Sequence, residues 1–185
     1  TAEIALRESE RSKSVLLSNL PGMAYRCRYD RDWTMEFVSA GCLELTGYGP
    51  DCLVGNRDLS FNELIAPEYR NELWQKWEHA LAERRPFREE FEIIAVSGKR
   101  KWVLEMGQGI IDNNGNVEAL EGIIIDISSR REYERQLQFM GEHDILTGLY
   151  NRAFFEKLLA GDAGETDRTV VLVDLNRLNA LSLSY

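Results

Sequence analysis

The period of the apolar pattern changes along this 185-residue chain, and that change constrains the fold more than any other feature. From Met23 to Tyr29 apolar and polar residues alternate, which is typical of a strand with one buried face. Residues 30–32 predict a turn, and the alternation resumes at Trp33, Met35 and Phe37. We therefore predict a β-hairpin whose buried face includes Phe37.

Helical segments separate this hairpin from three further strands. Residues 40–64 are broken at Gly47, Gly49 and Gly55, so they predict short helices. A longer helix is predicted from Pro67 to about residues 84–86, because Pro suits a first helical turn. Its apolar stripe is Leu73, Trp74, Trp77 and Leu81. Residues 87–96, 99–111 and 117–127 predict strands joined by hairpin turns. This order indicates an α+β domain with an antiparallel sheet.

Polar helices are predicted on both sides of this domain. Residues 1–20 predict an entering helix that Pro21 ends. Residues 128–142 predict a second helix, in which Arg130, Tyr133, Leu137 and Met140 are spaced by three, four and three residues. That spacing suits a coiled-coil seam, and we expect a homodimer through this helix and the domain before it. The alternative is an ordinary helix that lies on the sheet.

Composition limits the partners. A net charge of −9 argues against nucleic acid, whose binding depends on Lys and Arg. No apolar run approaches the roughly 18 residues of a membrane span, and no signal peptide precedes the first helix. Cys27, Cys42 and Cys52 lack C-x-x-C spacing and fit a reducing compartment. We expect a cytoplasmic protein without nucleic acid, while membrane attachment of a longer parent stays open.

Three short motifs accompany the order of elements over residues 21–127. They are Phe37-Val38-Ser39 before a short helix, Leu45-Thr46-Gly47-Tyr48 after it, and Asp126-Ile127-Ser128 at the end of the last strand. Together they resemble the PAS family, in which Asp-Ile-Thr ends many domains at their output helix. The resemblance implies a sensor with a five-stranded antiparallel sheet, small helices on one face, and flanking signalling helices.

Residues 143–152 read His-Asp-Ile-Leu-Thr-Gly-Leu-Tyr-Asn-Arg. They resemble the D-x-L-T-G-L-x-N-R opening of the GGDEF (diguanylate cyclase) family. The resemblance implies that residues 143–185 are the truncated α/β start of a domain that condenses two GTP into cyclic di-GMP, with Mg²⁺, in a dimer. We expect the fragment to be inactive, because the sequence reaches Tyr185 without a Gly-Gly-acidic-acidic-Phe loop.

The predicted output segment contains one candidate metal ligand. Asn151 is a plausible N-cap for a helix over residues 153–159, and residues 169–173 predict a buried strand that ends at Asp174. A carboxylate at a strand end can hold a divalent cation against phosphate. The resemblance implies that Asp174 and the backbone carbonyl of Leu175 are Mg²⁺ ligands. The alternative is that Asp174 caps a following helix.

Two departures from the cyclase pattern affect the substrate site. Asn179 stands where the family has a phosphate-contacting Lys, and Ser182 where it has a guanine-reading Asn. The output domain could therefore be degenerate, and similar domains precede phosphodiesterases that break down cyclic di-GMP. His143 also suggests a histidine-kinase box, but Leu146-Thr147-Gly148 follows where that box has Arg and Pro. The third alternative is a PAS module that acts by protein association.

The sensor domain contains a candidate pocket for a small hydrophobic ligand. Trp74, Trp77, Phe91 and Trp102 could line it between the long helix and the sheet, or they could fill the core. Haem is not expected, because His79 lies about six residues beyond the axial position of the resemblance. Flavin is not expected either, because Gly41-Cys42-Leu43 does not match the photoadduct cysteine motif.

Overall fold

The computed structural model of the chain describes residues 21–160 and Val171. It divides into two compact units, Thr1–Gln136 and Leu137–Tyr185. The predicted entering helix, the strand over residues 169–173 apart from Val171, and the candidate site residues Asp174, Leu175, Asn179 and Ser182 lie outside the described residues. The domain boundaries predicted after residues 20, 127 and 142 stay predictions.

Five antiparallel strands form the centre of the first unit, and this confirms the predicted sheet. They are β1 (Met23–Cys27), β2 (Met35–Val38), β3 (Phe87–Ile94), β4 (Arg100–Ile111) and β5 (Val117–Asp126). Their order in the sheet is β2-β1-β5-β4-β3, so the first strand pairs with the last. Gly98 has a φ of +76° between β3 and β4, a conformation that glycine adopts without strain.

Four helices cover one face of this sheet. They are α1 (Cys42–Thr46), α2 (Pro50–Leu53), α3 (Phe61–Leu64) and α4 (Pro67–Ala82). The long helix begins with proline as predicted and buries Leu73, Trp77 and Ala80. These side chains pack against buried residues of the strands, including Phe91 and Val103, and make one hydrophobic core.

The predicted alternation fails at Phe37. The pairing of β1 with β2 shifts register between Arg26 and Cys27, so β2 contains one extra residue. Such a bulge reverses the sides on which the following side chains lie. Met35 and Val38 are buried, whereas Phe37 is 45% exposed. The prediction that Phe37 faces the core was therefore wrong, because a bulge cannot be read from alternation alone.

Two further helices follow the sheet. α5 spans Ser128–Glu142, with the predicted bounds, and α6 spans Arg152–Ala160. Every side chain of α5 is partly or fully exposed, including the seam residues Tyr133, Leu137 and Met140. The dimer through this seam stays a prediction. Among the described residues, none of the helices is long and apolar enough to cross a membrane.

Candidate functional site

A small cavity lies between the helices and the sheet of the first unit, and we call it the core cavity. Its volume is about 10 Å³, roughly the room needed for one water molecule. The wall is mostly apolar, and among the described residues that line it Glu105 has the only carboxyl group. The lining residues are Tyr25, Cys27, Trp33, Met35, Phe61, Ile65, Leu73, Trp77, Glu105 and Ile124.

Glu105 is buried in the middle of β4, where it is only 7% exposed. The Tyr25 hydroxyl donates a hydrogen bond of 2.5 Å to its carboxylate. This contact crosses β5, because Tyr25 pairs with Gly122 and Gly122 pairs with Gly107 of β4. A Cβ at Gly107 would lie 2.8 Å from the tyrosine hydroxyl and 3.0 Å from the Trp77 ring. The two glycines therefore leave the space in which Tyr25 reaches Glu105.

Burial dominates the electrostatics of this carboxyl group. It raises the pKa of Glu105 to about 7, because a charged carboxylate is poorly solvated in the core. Hydrogen bonds from Tyr25 and Trp77 lower that pKa, and the nearby charge of Glu89 raises it further. Burial likewise raises the pKa of Tyr25 well above its ordinary value, so the phenol stays protonated and donates. Glu105 can thus change charge near neutral pH.

The four residues of the predicted pocket do not come together. Trp77 lines the core cavity and stacks on Phe87 with 4.0 Å between ring centroids. Phe91 is fully buried, and Trp74 stacks on Tyr29 at 4.6 Å.

Trp102 lies on the opposite side of the sheet. It comes one residue before Val103 in β4, and Val103 pairs with the buried Phe91 of β3. Successive side chains of a strand point to opposite faces. The sequence prediction therefore grouped Trp102 wrongly, because residue types do not reveal the strand register. Binding of a hydrophobic ligand stays a prediction.

The outer face of the sheet holds the first turn of α5. The Arg131 guanidinium lies 3.7 Å from the centre of the Trp102 ring and donates a 2.6 Å hydrogen bond to Glu90. Arg130 pairs with the same carboxylate. Hydrogen bonds from Arg131, and further ones from Arg130, hold the pKa of Glu90 below its ordinary value. Glu90 is therefore the charged anchor of α5 on the sheet.

Ser128 adds a second attachment of α5. Its hydroxyl oxygen accepts a 3.0 Å hydrogen bond from the backbone N–H of Trp102, and its own N–H donates to Asp126 at 2.9 Å. Lys101 also lies 3.2 Å from the Asp126 carboxylate. The Asp126-Ile127-Ser128 motif thus stops β5 and starts the helix at a defined position on β4.

The second unit contains a turn built by the motif of residues 143–152. Asp144 accepts hydrogen bonds from the N–H and the hydroxyl of Thr147 at 2.9 and 2.8 Å. Asn151 caps α6, because its side-chain oxygen accepts from the N–H of Phe154 at 2.8 Å. The amide nitrogen of Asn151 donates to the carbonyl of Gly141 at 2.9 Å. The predicted N-cap at Asn151 is therefore present, and it also holds the end of α5.

Four aromatic rings stack beside this turn. The ring of His143 lies 4.1 Å from that of Phe139 and 4.5 Å from that of Tyr150, which in turn stacks on Phe154 at 4.5 Å. The Nδ1 atom of His143 is 3.0 Å from the carbonyl oxygen of Gly148. His143 is thus engaged in the structure of the turn.

His79 and Cys42, the residues at which haem or flavin would attach, contact other residues of the first unit. His79 is exposed on α4, and its Nε2 lies 3.2 Å from the Glu83 carboxylate. Cys42 is fully buried, its thiol is 3.3 Å from the carbonyl oxygen of Tyr48, and burial raises its pKa to about 11. Within the described part of the chain, no three His, Cys, Asp or Glu residues cluster as metal ligands would. The predicted Mg²⁺ ligands lie outside that part.

The geometry defines a class of domain. A five-stranded antiparallel sheet in the order β2-β1-β5-β4-β3, with small helices and one long helix over one face, is the PAS fold. Residues 35–124 match the protein family described as PAS fold. The fold class inferred from the sequence is confirmed for this domain.

Known proteins resemble different shares of the chain. The uncharacterised protein y4lL of Sinorhizobium fredii is 29% identical over 192 residues, which cover 98% of this chain and 23% of that protein. The chain therefore spans less than a quarter of the length of this relative.

Among solved structures, the N-terminal domain of a diguanylate cyclase with PAS/PAC sensor from Marinobacter aquaeolei has a TM-score of 0.51 at 16% identity, covering 60% of this chain and 98% of that one. A sensory box histidine kinase/response regulator from Burkholderia thailandensis has a TM-score of 0.56 at 20% identity, covering 69% and 93%. At these identities the likeness concerns the fold.

Sequence reasoning missed the Tyr25–Glu105 pair. The available signal was the position of Glu105 in the strand, since it lies two residues from the apolar Val103 and therefore on the same face. A lone charged residue in an alternating strand usually faces solvent. The two glycines that admit Tyr25 become informative only when the strand pairing is known.

Proposed function

We propose that residues 21–127 are a sensory PAS domain that controls a GGDEF output domain in cyclic di-GMP signalling. The parent protein is most simply a diguanylate cyclase. The observation that carries the proposal is the position of α5. Its first turn binds Glu90 on the sheet through Arg131, and the His-Asp-Ile-Leu-Thr-Gly-Leu-Tyr-Asn-Arg motif follows directly after its last residue. The Marinobacter diguanylate cyclase, whose N-terminal PAS domain has the same fold, supports this pairing of sensor and output.

Signal transfer in this proposal runs through the sheet. A change in the core cavity alters β4 at Glu105, and β4 also carries Trp102, on which Arg131 of α5 lies. The first turn of α5 is thus sensitive to the state of the strand that lines the cavity. In a homodimer that pairs through the PAS domain and α5, a rotation of this helix changes the distance between two output domains.

The chemistry assigned to the output follows the resemblance. Each of two subunits would hold one GTP, and each 3′-hydroxyl would attack the α-phosphate of the other GTP, so that a phosphodiester bond forms and pyrophosphate leaves. Bound Mg²⁺ would supply positive charge that neutralises the phosphates. Asp174 and the carbonyl of Leu175 are the proposed ligands of that Mg²⁺. Mg²⁺ prefers oxygen ligands and usually combines one or two carboxylates with substrate phosphates, which this pair suits.

A second candidate rests on the substitutions at the substrate site. Asn179 in place of Lys removes a positive charge from the phosphate site, and Ser182 in place of Asn removes a paired donor and acceptor for guanine. These changes favour a degenerate GGDEF domain that regulates a phosphodiesterase of cyclic di-GMP further along the parent. The stimulus-dependent role of the PAS domain is the same in both cases.

One assay separates the two candidates. The full-length parent is incubated with GTP and Mg²⁺ beside an Asp174→Ala variant, and cyclic di-GMP is quantified by mass spectrometry. A cyclase forms product in the wild type and loses it in the variant. A parent that forms no product but hydrolyses added cyclic di-GMP supports the degenerate regulator. Product that is unaffected by Asp174→Ala contradicts the assigned metal ligand.

A further inference from the structure

We propose that the ring of Trp102 couples the first turn of α4 to the first turn of α5 around the edge of the sheet, so that loosening either turn also loosens the other. The two helices lie on opposite faces of the sheet, and this connection does not pass through the core cavity. It requires neither a bound ligand nor an output domain, and it therefore goes beyond the proposed function.

The start of α4 is attached to the edge strand of the sheet. β3 is the last strand in the sheet order, and Ile65, two residues before α4, forms a bridge with Ile93 of β3. The N–H of Ala66 donates a 2.9 Å hydrogen bond to the carbonyl of Glu92. Because Ile93 pairs with Lys101 of β4 on its other side, α4 begins beyond the edge strand.

Tyr69, in the first turn of α4, reaches the Trp102 ring from this edge. The two ring centroids are 5.9 Å apart and the ring planes cross at 76°, which is the edge-to-face arrangement of aromatic pairs. Trp102 pairs with Glu92 of β3, so the Tyr69 side chain spans the edge strand to contact β4. Tyr69 also packs against the hydrophobic core. It therefore joins the core side of the domain to a ring on the outer face.

The same tryptophan holds the first turn of α5. The Arg131 guanidinium lies 3.7 Å from the centre of the Trp102 ring, which is a cation–π contact. The backbone of Trp102 is bound as well, because its N–H donates to the Ser128 hydroxyl at 3.0 Å and its carbonyl accepts from the N–H of Ile127 at 2.8 Å. A shift of the ring relative to Tyr69 therefore changes the surface on which Arg131 lies.

The coupling arises because one ring serves two partners. The energies of an edge-to-face pair and of a cation–π contact both depend on how the ring is oriented. Trp102 is only half-buried, so its contacts with Tyr69 and Arg131 determine that orientation. Contacts that share a partner are not independent in energy. By thermodynamic reciprocity, an effect of Tyr69 on α5 requires an effect of Arg131 on α4.

Hydrogen exchange of the 185-residue protein, followed by NMR, measures this coupling. Tyr69→Leu removes the ring but keeps an apolar side chain on α4. We expect the amides of residues 129–136 to exchange about threefold to tenfold faster than in the wild type, while the amides of β5 keep their protection. Tyr29→Leu is the matched control, because Tyr29 stacks on Trp74 of the same helix at 4.6 Å. It should leave the exchange of the α5 amides at the wild-type rate.

The reverse experiment compares two arginines that bind the same carboxylate of Glu90. Arg131→Met removes the cation from the Trp102 ring, whereas Arg130→Met removes only the neighbouring ion pair. The Tyr69 amide, which donates to the carbonyl of Ala66 at 2.9 Å, reports on the first turn of α4. It should exchange about threefold to tenfold faster in Arg131→Met and at the wild-type rate in Arg130→Met. Equal exchange in the two variants overturns the proposal.

Trp102→Leu tests whether the ring is the shared element. In that background Tyr69→Leu should accelerate the α5 amides no further, and an added acceleration of the original size overturns the proposal. Wild-type exchange of the α5 amides in Tyr69→Leu also overturns it, as does an equal effect of Tyr29→Leu. If Trp102→Leu does not fold, the comparison of the two arginine variants still decides. None of these readouts involves GTP, so a parent without cyclase activity leaves the result unaffected.

Discussion

The Tyr25 hydroxyl of β1 reaches across β5 and donates a 2.5 Å hydrogen bond to the buried carboxyl group of Glu105 on β4. The bond joins two strands that do not pair with each other, over the gap left by Gly107 and Gly122. Its acceptor changes charge near neutral pH, because burial raises the pKa of Glu105 to about 7. The stability of the domain should therefore depend on pH in a direction opposite to that of most carboxylate contacts.

The first prediction concerns this pH dependence. The pKa of Glu105 is higher in the folded chain than in the unfolded chain, so the folded state binds more protons between about pH 4.5 and pH 7. The contribution of Glu105 to the free energy of unfolding is then lost as the pH rises through about 7, on the order of 3 kcal/mol. Urea denaturation of the wild type and of Glu105→Gln measures the difference. The variant should be the more stable protein at about pH 8, and a constant difference across the range would contradict the assigned pKa.

The second prediction concerns the donor. Tyr25→Phe leaves the Glu105 carboxylate with one hydrogen bond fewer, so unfolding at about pH 8 should become easier by about 1–3 kcal/mol. At about pH 5 the group is protonated and the loss should be smaller. Because the Tyr25 hydrogen bond lowers the pKa of Glu105, the pH midpoint of stability should also move upward. Tyr69→Phe, at a ring that packs edge-on against Trp102, is the matched control and should leave the midpoint unchanged.

The third prediction concerns the attachment of α5. Glu90→Gln removes the charge that binds Arg130 and Arg131. The free energy needed to open the first turns of α5 should therefore fall by about 1 kcal/mol. Hydrogen exchange of the amides over residues 129–136 should accelerate several-fold, while the amides of β4 keep their protection.

Glu132→Gln is the control for this variant, because Glu132 bonds only to Arg135 and Gln136 of the same helix in the described structure. If the amides of residues 129–136 exchange no faster in Glu90→Gln than in Glu132→Gln, the prediction is wrong, and the Ser128 and Trp102 contacts hold α5 without Glu90.

Local sequence signals predicted the strands well because their physical causes are local. Gly98 allows the turn between β3 and β4, and Asp112 accepts hydrogen bonds from the N–H groups of Asn114 and Asn116 in the next turn. Pro67 starts α4 at its predicted position. These features need no information from the rest of the chain, and the element order built on them was sufficient for the PAS resemblance.

The site depended on pairing between distant strands. Phe37 turned outward because of a bulge against β1, and Trp102 lies on the outer face because of the β3–β4 register. Glu105 is buried because Trp77 and Tyr25 cover it, from positions 28 and 80 residues earlier in the chain. Register and coverage are set by the packing of the whole domain, so alternation in one segment could not reveal them.

The last prediction separates the two roles of Asn151 in the turn after α5. Its side-chain oxygen caps α6 at Phe154, and its amide nitrogen holds the carbonyl of Gly141. Asn151→Asp keeps an acceptor at the N-cap and places a negative charge at the helix N-terminus, which is favourable. Asn151→Ala removes both contacts and should cost about 1 kcal/mol of local stability. The amide of Phe154 should therefore exchange about fivefold faster in Asn151→Ala and at the wild-type rate in Asn151→Asp. Equal acceleration in both variants would mean that the bond to Gly141 holds the turn, and that the cap follows from it.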